Sequence, residues 1–410
     1  MPEADKVAAV RSLLPATRAG IYLNAGTCGP IPADSQRAME EQAARDLSVG
    51  RAHVSLGPEA LARMDEARAG VAAALVADPA DIALTHSTTD GINLVLSAVP
   101  WGPGDRVITT NQEHVGVFGP LSALRERLGV EVEALDIGYG GDDDATVAAF
   151  ARALERPARA VVLSHVLWTT GAVLPVDRIG VLARAAGATS LIDGAQAAGA
   201  IPVRLDELHV DAYAMPGQKW LLGPEGMGAL WVRRAFADAA VPLTAGYLSF
   251  ASFEGVAPVL HPGARRFEAT TFHRPSVVGF ARSLGWLSMY VGLPWAQARA
   301  MSLAAGLADR LASIPGVSVV TPRPARGTLV TFRIGGWRAT EALDELGPRS
   351  FAILRDVPGL DAIRCSVGFW NTAEELDRVA NVVELVARHT PDSLPPRRLA
   401  VLGSDDAPIA

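Results

Sequence analysis

"RVITTNQEHVGVFGPLSALRERLG", residues 106–129, divides into three textures. RVITT is a short, β-branched apolar run, NQEHVGVFGP is polar and punctuated by glycine and proline, and PLSALRERLG carries apolar residues at helical spacing. Strand, loop and helix in that order form half of a βαβ unit. The same unit recurs between about residues 60 and 235. Helix-like segments are ALARMDEARAGVAAALV, PLSALRERLG, ATVAAFARALE and IGVLARAAG, and the apolar runs are DIALT, RVITT, EVEALD, RAVVLSHV, TSLID, DAYAM and GALWV. Seven short buried runs alternating with amphipathic helices predict an α/β fold with a doubly wound, mostly parallel seven-stranded sheet. Such sheets bind ligands at the carboxyl ends of their strands, so the residues just after each run are the candidates for chemistry.

At 410 residues the chain exceeds a single core, and two domains are expected. Residues 236–275 are irregular in texture. A helical stretch at about 275–312 follows, then GVSVV, GTLVTFRI, a helix near 338–346, AIRCSV and a helix near 372–389, the pattern of a smaller α+β unit. The expected division is an N-terminal segment 1–20, a large domain 21–270, a small C-terminal domain 271–390 that takes in the N-terminal segment, and a proline-rich, loosely ordered tail 391–410. Asp142–Asp144 reads as a solvated loop rather than a metal site. The net charge of −7, with acids and bases interspersed, argues against nucleic acid as the main partner. Two cysteines, Cys28 and Cys365, make neither a disulfide framework nor a metal cluster. With neither a signal-like apolar core at the N-terminus nor an apolar run long enough to cross a membrane, a cytoplasmic location is expected.

Polar groups gather at the strand ends. After DIAL comes THSTTDGINLVLSAV, where Thr88 and Thr89 stand ahead of an apolar-periodic helix, a natural anion site of hydroxyls and free N–H groups. After RVITT comes His114, which could stack on a planar ring. After TSLI comes DGAQ, with Asp193 at the strand end and Gln196 one helical turn on. After DAYAM comes PGQK, ending at Lys219. Of 37 basic residues only Lys6 and Lys219 are lysine. An arginine-rich chain that keeps lysine inside an apolar, glycine-rich stretch has a use for an amine that can lose its proton and attack a carbonyl. Lysine, carboxylate, amide, imidazole and a helix-start hydroxyl cluster together suit pyridoxal 5′-phosphate, with its aldehyde, ring nitrogen, phosphate and flat face. GPEGMG does not match the dinucleotide-binding pattern.

With these residues in view the chain resembles the class V aminotransferase family of fold-type-I pyridoxal-phosphate enzymes, over roughly residues 20–390. The likeness rests on STTDGINLV, EHVG, DGAQ, GQKWLLGPEGMG, FEATTFHRP and RCSVGFWNT, in that order. The resemblance implies that Lys219 forms the Schiff base, Asp193 pairs with the pyridine nitrogen, Gln196 bonds the ring oxygen and His114 stacks on the ring. It implies that Thr88, Thr89 and Gln218 hold the cofactor, and that Thr271 reaches the phosphate of the other subunit in a homodimer. Arg364 would bind the α-carboxylate of an amino-acid substrate, with Asn24 and Trp168 also near it; a bidentate guanidinium suits that task.

The departures narrow the expected activity. SHVLWTTG puts Trp168 where desulfurases in this family carry an asparagine. Pro216, Gly217, Gln218 and Lys219 stand in place of Ser-Gly-His-Lys, and no cysteine lies between about 335 and Arg364, where one desulfurase group carries its sulfur acceptor. Cys365 reads as packing. The expected activity is therefore C–S β-elimination from a cysteine-derived conjugate, in thiol or secondary metabolism. Epimerisation, transamination and decarboxylation are the alternatives on the same scaffold, and a binding module would lack Lys219.

Overall fold

The computed structural model describes residues 2–54, 56–252, 258–323 and 327–397; the end of the expected tail, 398–410, lies outside the described residues. The chain begins with α1 (Glu3–Ser12), β1 (Ile21–Tyr22), α2 (Ala33–Val49) and α3 (Leu56–Leu75). Then come β2 (Ile82–Thr85), α4 (Thr88–Ala98), β3 (Arg106–Thr110), α5 (Val115–Leu128), β4 (Glu131–Leu135), α6 (Asp143–Ala153), β5 (Ala160–Ser164), α7 (Val176–Ala185), β6 (Thr189–Asp193), β7 (Ala212–Pro216) and β8 (Gly228–Val232). Strands β2 to β8 form one seven-stranded sheet in the order β2-β8-β7-β6-β5-β3-β4. Only β8 runs against its neighbours; the other pairings are parallel. The expected α/β architecture is observed, and all seven apolar runs form its strands.

Successive strand residues point to opposite faces. Leu84, Ile108, Val161, Leu163 and Ile192 enter one core. Ala83, Val107, Ala160, Val162 and Leu191 enter another, with Ile92 and Val95 of α4 and Val117 and Leu121 of α5. Helices thus cover both faces, and the strand ends remain for polar work. Local capping sets the entry angles of the helices. Ser87 Oγ accepts from Asp90 N at 3.1 Å before α4, and Asp142 Oδ1 accepts from Ala145 N at 2.8 Å before α6. Asp142 therefore serves as a helix cap.

The irregular region carries α8 (Arg234–Ala239), β9 (Phe250–Ser252) and β10 (Val259–Leu260), and then α9 (Arg274–Gly285). A π-helical turn, Trp286–Val291, separates α9 from α10 (Leu293–Ala312), so the single helical stretch expected over 275–312 is interrupted, with Gly292 at positive φ. The second unit holds β11 (Val317–Val319), β12 (Leu329–Ile334), α11 (Ala339–Ser350), β13 (Ala352–Ile353), β14 (Arg355–Val357), β15 (Ala362–Ser366) and α12 (Ala373–Ala387). Its sheet is antiparallel, in the order β11-β12-β15-β14, and β1 pairs in parallel with β13.

The buried side chains change core within α10. Val277, Phe280 and Leu284 of α9, and Ala296 and Ala300 of α10, pack with the large sheet; Ala304, Leu307, Ala308 and Leu311 pack with the small one. The division expected at 271 thus falls before α9, whereas the two cores separate only in the following helix. Among the described residues no helix is long and apolar enough to cross a membrane.

Candidate active site

A cavity of about 260 Å³ opens at the carboxyl ends of the strands of the large sheet. Thr88, Thr89, His114, Trp168, Asp193, Gln196, Gln218, Lys219 and Arg364 all line it, although they come from segments up to 276 residues apart. Two expected site residues do not. Asn24 lies behind the wall, where its Oδ1 accepts from Thr27 Oγ1 at 2.8 Å and its backbone bridges to Ser366. Thr271 is exposed and borders a separate cleft of about 1000 Å³ beside α2 and α3. Its neighbour Phe272 stacks on His86, ring centroids 4.7 Å apart, on the outer side of the loop that leads into α4.

Lys219 sits in a tight turn, with Leu222 N donating to its carbonyl at 3.2 Å and Leu222 in the left-handed region at φ 55. Gly29 packs directly on that carbonyl, and its N–H donates to the Gln218 carbonyl at 2.7 Å. Although Lys219 borders the cavity, burial of its ammonium lowers its pKa to about 8; Asp193 opposes that shift, and Arg364 and Arg355 add to it. Asp193 is raised by burial, against the nearby Lys219 and the Ala195 N–H, which donates to Oδ1 at 2.8 Å. Among the described residues its other oxygen accepts no hydrogen bond.

His114 caps α5: its Nδ1 accepts from Gly116 N at 3.0 Å, so the neutral ring carries its proton on Nε2. Burial, reinforced by Lys219, Arg355 and Arg364, lowers its pKa to about 4. The Trp168 ring meets it edge-on, centroids 5.3 Å apart. Gln196 is already engaged: Nε2 donates to the Gly26 carbonyl at 2.8 Å, and Trp220 Nε1 donates to its Oε1 at 3.0 Å. One Nε2 hydrogen remains for a ligand. Ser87 is the helix cap, and Thr88 and Thr89, in the first turn of α4, line the cavity at that helix's positive end.

Arg364 is fully buried. Its Nη1 donates to the Trp168 carbonyl at 2.8 Å, while Nε and Nη2 have no partner among the described residues, nor do Trp168 Nε1 and Gln218 Oε1. Burial, with Arg355 adding repulsion, lowers its pKa to about 9. Orphaned buried polar atoms of this kind cost free energy unless a ligand uses them.

Arg355 was not anticipated from the sequence. It lines the same cavity, its Nη1 donates to Thr27 Oγ1 at 3.2 Å, its guanidinium lies 5.7 Å from the Trp168 ring centre, and no carboxylate pairs with it among the described residues. It escaped notice because β14 is three residues long and RDV has no apolar signature. Ser164, also on the cavity wall, ends β5, and the strand-end rule could have found it. Cys365 points away from the site into the small core, and burial raises its thiol to about 12. Cys28 is half-buried, its Sγ 3.8 Å from Glu225 Oε1.

Comparison with known proteins places the chain in a family. The chain is 28% identical over 394 residues to a probable cysteine desulfurase of Methanothermobacter thermautotrophicus, covering 92% of this chain and 97% of that one. It is 28% identical over 392 residues to the isopenicillin N epimerase of Streptomyces clavuligerus, covering 89% and 94%. Among solved structures it superposes on C-DES with glycine covalently linked to the PLP cofactor (TM-score 0.86, 25% identity, 91% of this chain and 99% of that one). It also superposes on the complex of the cystine C–S lyase C-DES with its product cysteine persulfide (TM-score 0.84, 25% identity, 90% and 99%). With the family model for class-V aminotransferases matching residues 21–379, the chain belongs to the aminotransferase class-V family.

Proposed function

We propose that this pyridoxal-phosphate enzyme is a C–S β-lyase acting on a cysteine-derived conjugate that bears a second acidic group. The donor set of the cavity fits the cofactor: an amine of lowered pKa, a carboxylate with a free oxygen, a flat neutral imidazole and a helix N-terminus with two hydroxyls. Bound there, pyridoxal phosphate supplies an aldehyde for amines and an electron-withdrawing pyridinium. Asp193 holds the ring nitrogen in its protonated state. Thr88, Thr89 and the start of α4 would hold the phosphate, and His114 would cover one face of the ring. Lys219 takes the substrate's Cα proton and can return it. Arg364 fixes the α-carboxylate through the donors that the chain leaves unused. The Cβ–S bond then breaks, its electron pair leaves on sulfur, and hydrolysis of the remaining fragment gives pyruvate and ammonia.

The observation that carries the choice of substrate is a second guanidinium, Arg355, in the same cavity as Arg364 and, among the described residues, without a carboxylate partner. A monocarboxylate needs one arginine; a disulfide or thioether conjugate with a distal carboxylate can use both. The buried Cys365 and the lack of any cysteine at 335–364 weigh against a persulfide relay on the chain. The reading includes a homodimer in which Thr271 serves the partner's phosphate site.

L-Cystine and cysteine conjugates with and without a distal acid should be incubated with the holoenzyme, and pyruvate, ammonia and released sulfur species assayed. Arg364→Ala should raise KM for every substrate by about 30-fold or more, since truncating a buried charge pair costs roughly 2–5 kcal/mol. Lysine there should rescue only partly. Arg355→Ala should lower kcat/KM about tenfold for the diacids alone; equal losses on both classes would sink the distal-acid reading. Formation of the other enantiomer without pyruvate would replace lyase by epimerase.

A further inference from the structure

The path of the chain reverses between β3 and β5: β3 leads outward to β4, and β5 leads the other way to β6. Ladder pairing between these two strands covers Val107↔Ala160 and Ile108↔Val161, although β3 runs on to Thr110 and β5 to Ser164. The carboxyl ends therefore diverge, as expected at the crevice of a doubly wound sheet. Glu113 folds its side chain into the opening. Its Oε1 accepts from Thr110 Oγ1 at 2.7 Å and from Ser164 N at 3.1 Å, and its Oε2 accepts from Ser164 Oγ at 2.5 Å. The Ser164 N–H is a donor that a longer ladder would have used.

Glu113 is 4% exposed and, among the described residues, is held by neutral donors with no cation beside it. Burial raises its carboxyl to about 7, against the hydrogen bonds from Ser164 and Thr110, and Asp193 pushes it the same way as burial. A buried carboxyl without a cation is a costly way to fill space. What it gains is a bridge between two functional positions. The next residue in the chain is His114, and Ser164 lies in register with Asp193 on the adjoining strand.

We propose that Glu113 is a positioning residue of the cofactor site: its bridge from the turn after β3 to the end of β5 fixes the imidazole of His114 relative to the carboxylate of Asp193, so that the pyridine ring meets both. This rests on the reading that the ring stacks on His114. It assigns Glu113 no contact with the cofactor, consistent with its absence from the cavity wall.

The test compares Glu113→Ala, Glu113→Gln, Ser164→Ala and His114→Ala by the Kd of the apoprotein for pyridoxal phosphate, the visible circular dichroism of the bound ring, and Tm without cofactor. Glu113→Ala should raise Kd about tenfold and diminish the dichroic band, and so should His114→Ala. The double variant should be little worse than either single one, because both act through one contact. Glutamine should restore Kd to within about threefold, since its oxygen can accept from Ser164 N and its amide can donate to Ser164 Oγ. A fall in apoprotein Tm with Kd and dichroism unchanged would overturn the proposal, as would additive penalties or a glutamine variant as impaired as alanine. If Glu113→Ala does not fold, Ser164→Ala decides: an intermediate Kd supports the bridge and a wild-type Kd overturns it. A His114→Ala variant with wild-type Kd and dichroism would instead refute the stacking that the proposal presupposes, and with it the proposal.

Discussion

Burial around the ammonium of Lys219 brings its pKa down to about 8, and the direction of that shift has a kinetic consequence. The neutral amine is the nucleophile, so lowering the pKa raises the reactive fraction at pH 7 from about one in 3000 for an ordinary lysine to about one in ten. The rate at which apoprotein captures pyridoxal phosphate should therefore rise with pH through about 8 and level off above it. A rate still climbing steeply at pH 10 would mean an unperturbed lysine. Borohydride reduction should fix the cofactor on Lys219; Lys6, whose ammonium lies 4.0 Å over the Trp295 ring and which does not line the cavity, should stay unlabelled. His114 shows the complementary effect: burial and three cationic neighbours lower its pKa to about 4, so at pH 7 the neutral ring offers a flat face and one N–H.

Elements place these residues, and they were unequally legible in the sequence. The runs RVITT and TSLID coincide with β3 and β6 residue for residue: their aliphatic centres, Val107 with Ile108 and Leu191 with Ile192, are buried in a sheet covered on both faces, and a polar or glycine-containing turn follows each. That sharp ending is also why His114, Asp193 and Lys219 could be read as site residues from the sequence alone. β14 had no such contrast, so Arg355 stayed hidden. Asn24 and Thr271 came from resemblance alone, and neither lies on the cavity wall of its own chain. Close approach of backbone segments was equally silent. Gly29 packs on the Lys219 carbonyl and on the Leu222 side chain, and a Cβ there would collide with both. Gly29→Ala should cost about 1–3 kcal/mol, as overpacking does, and displace the lysine turn. Lower Tm together with weaker cofactor retention is the expected pair; unchanged values of both would show that the turn can shift freely.

At the scale of the molecule, residues of the large domain and two arginines of the small domain line one cavity, so under the proposed function the substrate's acidic groups would be read across the boundary between the two cores. The second subunit belongs to the same proposal. Leu47, Val54 and Leu243 are 88%, 86% and 82% exposed, and Leu47 borders the cleft that Thr271, Phe272 and Leu248 also line. An exposed leucine on the rim of a cleft of this kind fits a self-complementary interface better than open solvent. Sedimentation should give a dimer at micromolar concentration. Leu47→Asp should shift it toward monomer and weaken cofactor retention in parallel, because each phosphate site then loses the partner's hydroxyl. Thr271→Ala should weaken retention while the dimer persists. A monomer that binds pyridoxal phosphate as tightly as the dimer would leave the hydroxyls of Thr88 and Thr89 and the first turn of α4 as the whole phosphate site, and Thr271 would then need no partner at all.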